Sequence, residues 1–334
     1  NFLRRPFSTM HSMKAVKSQK KQKQQPTKAA AAAANKSVAA QRANRRVQRL
    51  TNSVRAQSTA AKLDKSKPIG FMGKFLEGRS AVVTGSTSGI GLGVAKVLAA
   101  HGCNITLNGF GKIEEINAIQ KEMAQQFGVK VRYSPADMTK PDQIREMVAG
   151  AQKEFGSLDI LINNAGIQHI SPVEEFPEEK WDQIIAINLN SAFHASKAAI
   201  PMMKKNGFGR IINIASVHGL VASVNKPAYV ASKHAIIGLT KANALELAGT
   251  GVTVNAICPG WVFTPLVAAQ VQLRADKNNQ TFDQAKVALL SEKQPSGEFV
   301  TVEDLGNMAA FLSSPFASQM TGVANVMDGG WTSC

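Results

Sequence analysis

Residues 80–91 read Ser-Ala-Val-Val-Thr-Gly-Ser-Thr-Ser-Gly-Ile-Gly, and this stretch decides the fold. The β-branched run at 80–84 predicts a buried strand, and the pattern from Leu92 to Ala100 predicts a helix. A glycine motif between a strand and a helix is typical of a dinucleotide-binding turn, because the helix N-terminus offers N–H groups to phosphates. The cofactor-binding residues predicted in this turn are Gly85, Thr87, Ser88, Gly89, Ile90 and Gly91.

The alternation of strands and helices continues downstream. Strands are predicted at 104–107, 129–134 and 160–163, with helices at 113–127 and 142–155. This order predicts an α/β fold with a doubly wound parallel sheet. Asp137 follows the third strand, where its carboxylate could accept a hydrogen bond from an adenine amino group. Asn163-Asn164-Ala165-Gly166 follows the fourth strand, at the edge where such sheets bind ligands; the same residues could also form a sharp turn.

The end of the second strand bears on the choice between NAD and NADP. A NAD-binding protein usually has an acid about 20 residues after the glycines, which binds the ribose hydroxyl. Here the strand runs into Leu107-Asn-Gly-Phe-Gly111 and Lys112, without an acid. Lys112 could meet a 2′-phosphate, but the glycine turn carries no Arg or Lys to cover one. We therefore favour NAD over NADP.

The second half of the chain carries the candidate catalytic residues. Asn188 interrupts a helical pattern at 181–204, and Ser216 ends a predicted strand at 210–215. Tyr229 and Lys233 are spaced i, i+4 on a predicted helix and therefore share one face. A cation beside a phenol favours its ionised form, so Tyr229 could take the proton of an alcohol. Ser216 would hold the substrate oxygen, and Asn188 could anchor a water that links Lys233 to solvent.

Together these motifs resemble the short-chain dehydrogenases/reductases over residues 74–334. The motifs that carry the resemblance are Thr84-Gly85-x-x-x-Gly89-Ile90-Gly91, Asn163-Asn164-Ala165-Gly166, Asn188, Ser216, Tyr229-x-x-x-Lys233 and Pro259-Gly260. The resemblance implies a Rossmann-like sheet of about seven strands, a catalytic tetrad and, as a rule, a homotetramer. It also places Asn164, Ala165, Gly166, Pro259, Gly260, Tyr229 and Lys233 against the cofactor.

Within this family, further segments are similar to the bacterial-type D-3-hydroxybutyrate dehydrogenases. These segments are Gly166-Ile-Gln168-His169, Leu107 to Gly111, Ser216-Val-His218, Asn225-Lys226-Pro-Ala-Tyr229, Cys258-Pro-Gly-Trp261 and Asp328-Gly-Gly-Trp331. The similarity implies NAD-dependent interconversion of D-3-hydroxybutyrate and acetoacetate, a reaction of ketone-body metabolism. It further implies that Gln168, His218, Lys226 and Gln270 bind the substrate carboxylate, beside Ser216 and Tyr229. Trp261 and Trp331 would line the pocket, and residues 264–295 would form a mobile lid.

Two other functions stay open at this point. A reductase of the same fold could act on a thioester-linked 3-oxoacyl chain with NADP, but it would need an open pocket and a basic docking patch. A non-catalytic binding protein could act through a basic tail, although it would have no need of Asn188, Ser216, Tyr229 and Lys233.

The formal net charge of +16 is concentrated at one end of the chain. Residues 1–68 contain 17 Lys and Arg and one acid, whereas the remaining residues contain 22 of each sign. Net charge affects partners rather than the fold, and the balanced part gives no reason to expect nucleic-acid binding. We predict that 1–68 is a disordered extension or linker, with a domain boundary near Pro68 and one domain over 69–334.

The composition of the extension also suggests a location. An Arg-rich, Ser-containing, acid-poor N-terminus is typical of an organelle transit peptide, so we expect import into the mitochondrial matrix. The alternatives are a cytoplasmic protein whose tail is a solvated extension, or an arm that contacts an acidic surface. Cys103, Cys258 and Cys334 lie far apart, which favours a reducing compartment and no structural metal. No apolar run approaches the roughly 20 residues that a membrane span needs.

Overall fold

The computed structural model describes residues 73–334. The predicted disordered extension at 1–68 and the boundary near Pro68 lie outside these residues. Seven parallel strands form one sheet in the order β3-β2-β1-β4-β5-β6-β7, which confirms the predicted doubly wound α/β fold. The strands are β1 (Ser80–Val83), β2 (Asn104–Asn108), β3 (Val131–Ser134), β4 (Ile160–Asn163), β5 (Gly209–Ile214), β6 (Val252–Pro259) and β7 (Ala324–Met327).

Helices connect the strands and cover both faces of the sheet. They are α1 (Gly89–Ala100), α2 (Ile113–Phe127), α3 (Pro141–Phe155), α4 (Glu178–Ile185), α5 (Ser191–Lys205), α6 (Pro227–Glu246), α7 (Pro265–Lys277), α8 (Phe282–Lys293) and α9 (Val302–Ser313). Short 3₁₀ turns lie at Val173–Glu175, Val217–Gly219, Pro315–Ala317 and Trp331–Ser333. Among residues 73–334, none of these helices is long and apolar enough to cross a membrane.

The sheet is apolar because it is buried on both faces, as parallel sheets are. Every residue of β1, β4, β5 and β6 is buried. On one face, Leu98 of α1 and Leu305 of α9 belong to the same apolar cluster. On the other face, Ile144 of α3 and Ala199 of α5 pack in a second cluster. The sheet is therefore sandwiched between two helical layers.

The chain reverses its direction of sheet growth between β1 and β4. Ala81 of β1 pairs with Ile105 of β2 on one side and with Ile160 of β4 on the other. In doubly wound sheets the crevice outside the carboxyl ends of two such strands is where ligands bind. Gly85 and Asn164, which follow these two strands, therefore border the expected binding crevice.

The predicted helix at 181–204 is divided in the structure. α4 and α5 are separated by a π-helical turn at Ala186–Asn190. Such a turn inserts an extra residue into the helix and changes the direction of the side chains within it. The apolar periodicity continues through the turn, so the pattern alone predicts one helix. Asn188, in the middle of the turn, is buried.

The segment predicted as a lid is a pair of helices with its own small core. Val267 and Val271 of α7 pack with Ala285 and Leu289 of α8. An ion pair between Arg274 and Glu292 joins the same two helices. The mobility of this pair, implied by the family resemblance, stays a prediction.

Candidate active site

A cavity of about 420 Å³ opens at the carboxyl ends of the central strands. It extends from the glycine turn after β1 to Lys226 at the start of α6. Every predicted cofactor and substrate residue lines it except Gly91, and of the predicted tetrad only Asn188 lies behind its wall. Residues that are more than 200 positions apart in the sequence therefore line one cavity.

The glycine turn is a cradle that a Cβ atom would fill. Gly85 and Gly89 have φ of 62° and 56°, a left-handed conformation that favours glycine. A Cβ on Gly91 would lie 2.3 Å from the Gly85 carbonyl oxygen and 2.5 Å from Asn164 Nδ2. α1 begins at Gly89 without a side-chain cap, and Gly89 and Ile90 line the cavity. The first N–H groups of this helix therefore remain available to a ligand. These features fit the phosphates of a dinucleotide.

Thr84 and Asn164 hold the two sides of the crevice together. The Thr84 hydroxyl accepts the N–H groups of Asn164 and Ala165, each at 3.0 Å. Asn164 Nδ2 donates to the carbonyls of Thr84 and Gly85, at 2.8 and 2.9 Å. Asn164 thus fixes the shape of the cofactor turn with its side chain while its backbone lines the cavity.

Asn108 ends β2 where a carboxylate is common, and its side chain is used within the protein. Its Oδ1 accepts the Gly85 N–H at 3.2 Å, and its Nδ2 donates to the carbonyls of Ser134 and Ala136. Lys112 lies outside the cavity lining and forms an exposed ion pair with Glu115 at 3.5 Å. Lys112 therefore does not line the cavity in which a 2′-phosphate would bind.

Asp137 follows β3 and lines the same part of the cavity. Its Oδ1 accepts hydrogen bonds from the backbone N–H and the hydroxyl of Thr139, both at 2.8 Å. These bonds, the backbone bond above all, lower the pKa of the Asp137 carboxyl. Asp137 is thus ionised at neutral pH and can accept a further hydrogen bond from a ligand.

Tyr229 and Lys233 lie on α6, one turn apart. Lys233 Nζ is 5.6 Å from the centroid of the Tyr229 ring and donates to the Ile214 carbonyl at 2.7 Å. Burial lowers the pKa of Lys233 to about 8. Burial also raises the pKa of Tyr229, and a hydrogen bond with the Ser216 side chain acts in the opposite direction. Burial is the larger of these two effects, so the pKa of the phenol lies above its ordinary value in the protein without ligand. The predicted effect of the Lys233 cation on Tyr229 stays a prediction.

Asn188 is committed to the loop that follows β4. Its Oδ1 accepts the Ile167 N–H at 2.8 Å, and its Nδ2 donates to the Ile167 carbonyl at 2.9 Å. A third bond joins Nδ2 to the Ser232 hydroxyl at 3.2 Å. Asn188 therefore positions the segment that carries Gln168 against α6, and its predicted contact with a water stays a prediction.

Lys226 occupies the far end of the cavity as a buried cation. Only 7% of its surface is exposed, and its Nζ lies 3.4 Å from Gln270 Oε1 and 5.3 Å from the centroid of a Trp261 ring. Within residues 73–334, no carboxylate oxygen lies within 4.0 Å of this ammonium. Burial lowers its pKa to about 8. Asn225, which precedes it, has φ of 61° and directs the chain into this position.

His218 and two tryptophans surround the same end. The His218 ring lies edge-on to Tyr229 and to Trp331, with centroids 6.1 and 5.3 Å away. Burial, and next the charge of Lys226, lower the pKa of His218 to about 4, so the imidazole is neutral at neutral pH. Its Nδ1 is buried without a hydrogen-bond partner. The Trp261 and Trp331 rings are 5.5 Å apart and close this end of the cavity.

Sequence reasoning missed several residues that shape the site. Asn108, Thr264 and Ile187 line the cavity, and Gln294 binds the backbone of Trp261 at 2.7 Å. Asn108 had a detectable signal, since it is a polar residue at the end of a buried strand. Gln294 had none, because it follows a helix and is 33 positions away from its partner.

The chain is similar in sequence to known proteins over most of its length. A family model described as short chain dehydrogenase matches residues 79–275. The chain is 58% identical over 257 residues to a D-beta-hydroxybutyrate dehydrogenase of Cupriavidus necator, covering 77% of this chain and 98% of that protein. It is 53% identical over 254 residues to a protein of the same name from Rhizobium meliloti, covering 76% and 98%.

Among solved structures, the actinorhodin polyketide ketoreductase crystallised with NADPH is 34% identical to this chain. The superposition has a TM-score of 0.72 and covers 78% of this chain and 99% of the ketoreductase. The similarity thus extends from the sequence to the fold.

Proposed function

Because this chain belongs to the short-chain dehydrogenase family, we propose that it interconverts D-3-hydroxybutyrate and acetoacetate with NAD. Two relatives more than half identical to it bear the name of D-beta-hydroxybutyrate dehydrogenases. The observation that carries the proposal is the buried ammonium of Lys226, which has no carboxylate partner among residues 73–334.

A buried, unpaired ammonium is costly, and an anionic ligand would offset that cost. Gln270 binds the Lys226 ammonium and the nearby His218 is uncharged, while the neutral Gln168 lines the same cavity. One full positive charge with neutral donors suits a monocarboxylate. A four-carbon hydroxy acid has little apolar surface, so its carboxylate must supply most of the affinity and orientation.

The predicted tetrad would carry the proton chemistry. A bound nicotinamide would accept the hydride when the alcohol is oxidised. Tyr229 would take the hydroxyl proton of the substrate as a general base, and it would return a proton to the ketone in the opposite direction. Ser216 would hold the reacting oxygen by a hydrogen bond. Lys233 would hold the cofactor and pass the proton on to solvent. Asn188 holds the loop after β4 against α6.

The distribution of charge supports NAD rather than NADP. The cations that line the cavity are Lys226 and Lys233, and both lie at the catalytic end. Near the loop after β2, the lining residues are Thr87, Asn108, Gly109 and Phe110, which carry no charge. A 2′-phosphate there would lack a cationic partner.

The test is an assay of the purified protein with both enantiomers of 3-hydroxybutyrate and with both cofactors. We expect NADH formation from the D-acid, and a much lower rate with the L-acid or with NADP. The variant Lys226→Met should lose affinity for the acid while it keeps affinity for the cofactor. Absence of turnover of the D-acid at saturating concentrations would refute the proposal. Preferential reduction of a 3-oxoacyl thioester with NADPH would favour the rival reductase.

For the remainder of the chain, we propose that residues 1–68 direct import into the mitochondrial matrix, with a cytoplasmic location as the alternative. We also propose a homotetramer, which the family resemblance implies. The acid-poor, Arg-rich composition of the extension supports the first proposal. Sequencing the N-terminus of the mature protein from cells would test it, because an uncleaved, cytoplasmic protein would contradict import.

A further inference from the structure

We propose that Gln294 is a positioning residue that fixes the Trp261–Trp331 wall of the pocket and thereby limits the length of the acid that fits. The inference rests on the proposed function for the identity of the acid. Gln294 follows α8 and is buried, with 2% of its surface exposed. A buried amide needs partners for both its oxygen and its nitrogen, so its contacts define what it holds.

Both ends of the Gln294 side chain bind backbone groups. Its Oε1 accepts the Trp261 N–H at 2.7 Å, and its Nε2 donates to the Glu298 carbonyl. The carbonyl of Trp261 accepts the Val300 N–H at 2.9 Å. The backbone of Trp261 is thus held on both sides by the segment 294–300, which continues directly from the lid helices.

Two glycines allow this amide to sit where it does. A Cβ on Gly260 would lie 2.6 Å from Gln294 Oε1, and a Cβ on Gly329 would lie 2.8 Å from Gln294 Cγ. Gly260 precedes Trp261, and Gly329 is two residues before Trp331. Gln294 therefore lies between the two chain segments that present the tryptophans.

Trp331 is held in the same unit by Asp328. The carboxylate of Asp328 accepts the N–H of Gly330 at 2.9 Å, and the N–H and the hydroxyl of Thr332, both at 2.7 Å. Ser296 N–H binds the Gly329 carbonyl at 2.9 Å. The turn that carries Trp331 is thereby joined to the segment that begins at Gln294.

The wall faces the groups proposed to bind the acid. Trp261 lies 5.3 Å from Lys226 Nζ, and Trp331 lies 5.3 Å from the His218 ring. A displacement of the indoles would enlarge the space beside the carboxylate without moving Tyr229 or Lys233. Loss of the amide should therefore change the selectivity for chain length more than the rate of the chemical step.

The experiment compares Gln294→Met, which has a similar shape but forms no such hydrogen bonds, with Gln294→Glu and Ile144→Val. Gln294→Glu keeps the acceptor for the Trp261 N–H but loses the donor to Glu298. Ile144 is buried in α3 away from the cavity, so Ile144→Val controls for a general loss of stability. All are measured in the Trp181→Phe background, which removes the third tryptophan.

The readouts are steady-state kinetics with 3-hydroxybutyrate and the longer 3-hydroxyhexanoate, and the exciton-coupled circular dichroism of the two remaining indoles. Because Gln294→Met loses both side-chain hydrogen bonds, we expect KM for 3-hydroxybutyrate to rise about tenfold, with a much smaller change in kcat. The relative rate on the six-carbon acid should rise, and the exciton band should weaken. Gln294→Glu should lie closer to the parent protein, and Ile144→Val should match it.

An exciton band and a chain-length preference that are unchanged in Gln294→Met would overturn the inference, as would the same changes in Ile144→Val. If Gln294→Met does not fold, Gln294→Glu decides the question. Unchanged selectivity and an unchanged exciton band in Gln294→Glu would then assign Gln294 a purely structural role and overturn the inference. The band is measured without substrate. If the parent protein fails to oxidise 3-hydroxybutyrate but the exciton band still weakens in Gln294→Met, only the proposed function is refuted.

Discussion

Burial gives Tyr229 and Lys233 the same preference for the uncharged state. The pKa of the phenol is raised and the pKa of the amine is lowered to about 8, in both cases because charge is disfavoured away from water. Tyr229 is therefore protonated at neutral pH, which is the state needed to donate a proton to a ketone. Oxidation of the alcohol needs the opposite state, so we expect its rate to rise with pH.

Replacement of Tyr229 by Phe removes only the hydroxyl. We expect kcat to fall by about 10²- to 10⁴-fold, the usual contribution of general acid–base catalysis, while cofactor affinity changes little. Stopped-flow turnover and fluorescence titration of NADH would measure the two effects. The other tyrosine of the chain is the control, since Tyr133→Phe removes a hydrogen bond to the Gly109 carbonyl but no catalytic group. Substantial turnover by Tyr229→Phe would exclude Tyr229 as the acid–base residue.

Lys226 gives the binding of carboxylates its own pH dependence. With a pKa of about 8 the amine is charged below that pH and neutral above it. We expect the inhibition constant of butyrate, which has no hydroxyl to oxidise, to be constant below this pH. Above it, the constant should rise about tenfold per pH unit. In Lys226→Arg the guanidinium stays charged, so the rise should vanish even if overall affinity is lower. A pH-independent constant in the parent protein would contradict the role of Lys226.

At the scale of secondary-structure elements, the approach of α1 to the crevice depends on Gly91. A Cβ there would collide with the backbone oxygen of Gly85, which cannot move without opening the turn. We expect Gly91→Ala to lower the free energy of unfolding by about 1–3 kcal/mol, the range for overpacking, and to weaken cofactor binding strongly. Thermal denaturation with and without NADH would measure both.

Gly150→Ala in α3 is the matched control. A Cβ on Gly150 would meet only the tip of the Arg132 side chain, at 2.7 Å, and that tip can move. Alanine is also the better helix former by about 1 kcal/mol, so this variant should be as stable as the parent protein or more stable. Equal behaviour of the two variants would mean that the close approach at Gly91 has no special role.

Most elements could be predicted from sequence because their signals are local. The strand of β1 and the glycines after it are contiguous, and α2 and α3 each carry a clear amphipathic period. The π-helical turn at Ala186–Asn190 could not be predicted, because its side chains continue the apolar pattern of the helices on either side. The sequence pattern predicts that β3 begins at Val129, but the strand in the structure begins two residues later, at Val131.

The site was predictable to a similar degree. Tyr229, Lys233 and Ser216 follow a spacing with a chemical reason, and the structure places them in one cavity. The direction of the Tyr229 pKa shift depends on how completely the phenol is desolvated, which no spacing encodes. Gln294 acts through a backbone contact across 33 residues, and such contacts leave no pattern in a sequence.

At the scale of the whole molecule, the chain combines a charge-balanced domain with a strongly basic extension. The Cupriavidus relative is covered over 98% of its length by only 77% of this chain. All residues assigned to the catalytic, cofactor and substrate sites follow residue 68. We therefore expect a protein that starts at residue 69 to keep its kcat and KM for the hydroxy acid within about twofold. Side-by-side kinetics of the two proteins would measure this. Loss of turnover on removal, together with retained activity in Tyr229→Phe, would instead support a function carried by the extension.

The depressed pKa of Lys226 also matters for the design of inhibitors. An amine that is partly neutral near pH 8 is a far better nucleophile than an amine that is fully protonated. A short compound with a carbonyl electrophile, seated in the cavity between Trp261 and Gln270, would meet this amine directly. The group that is proposed to recognise the natural ligand by its charge therefore offers a covalent anchor when that charge is absent.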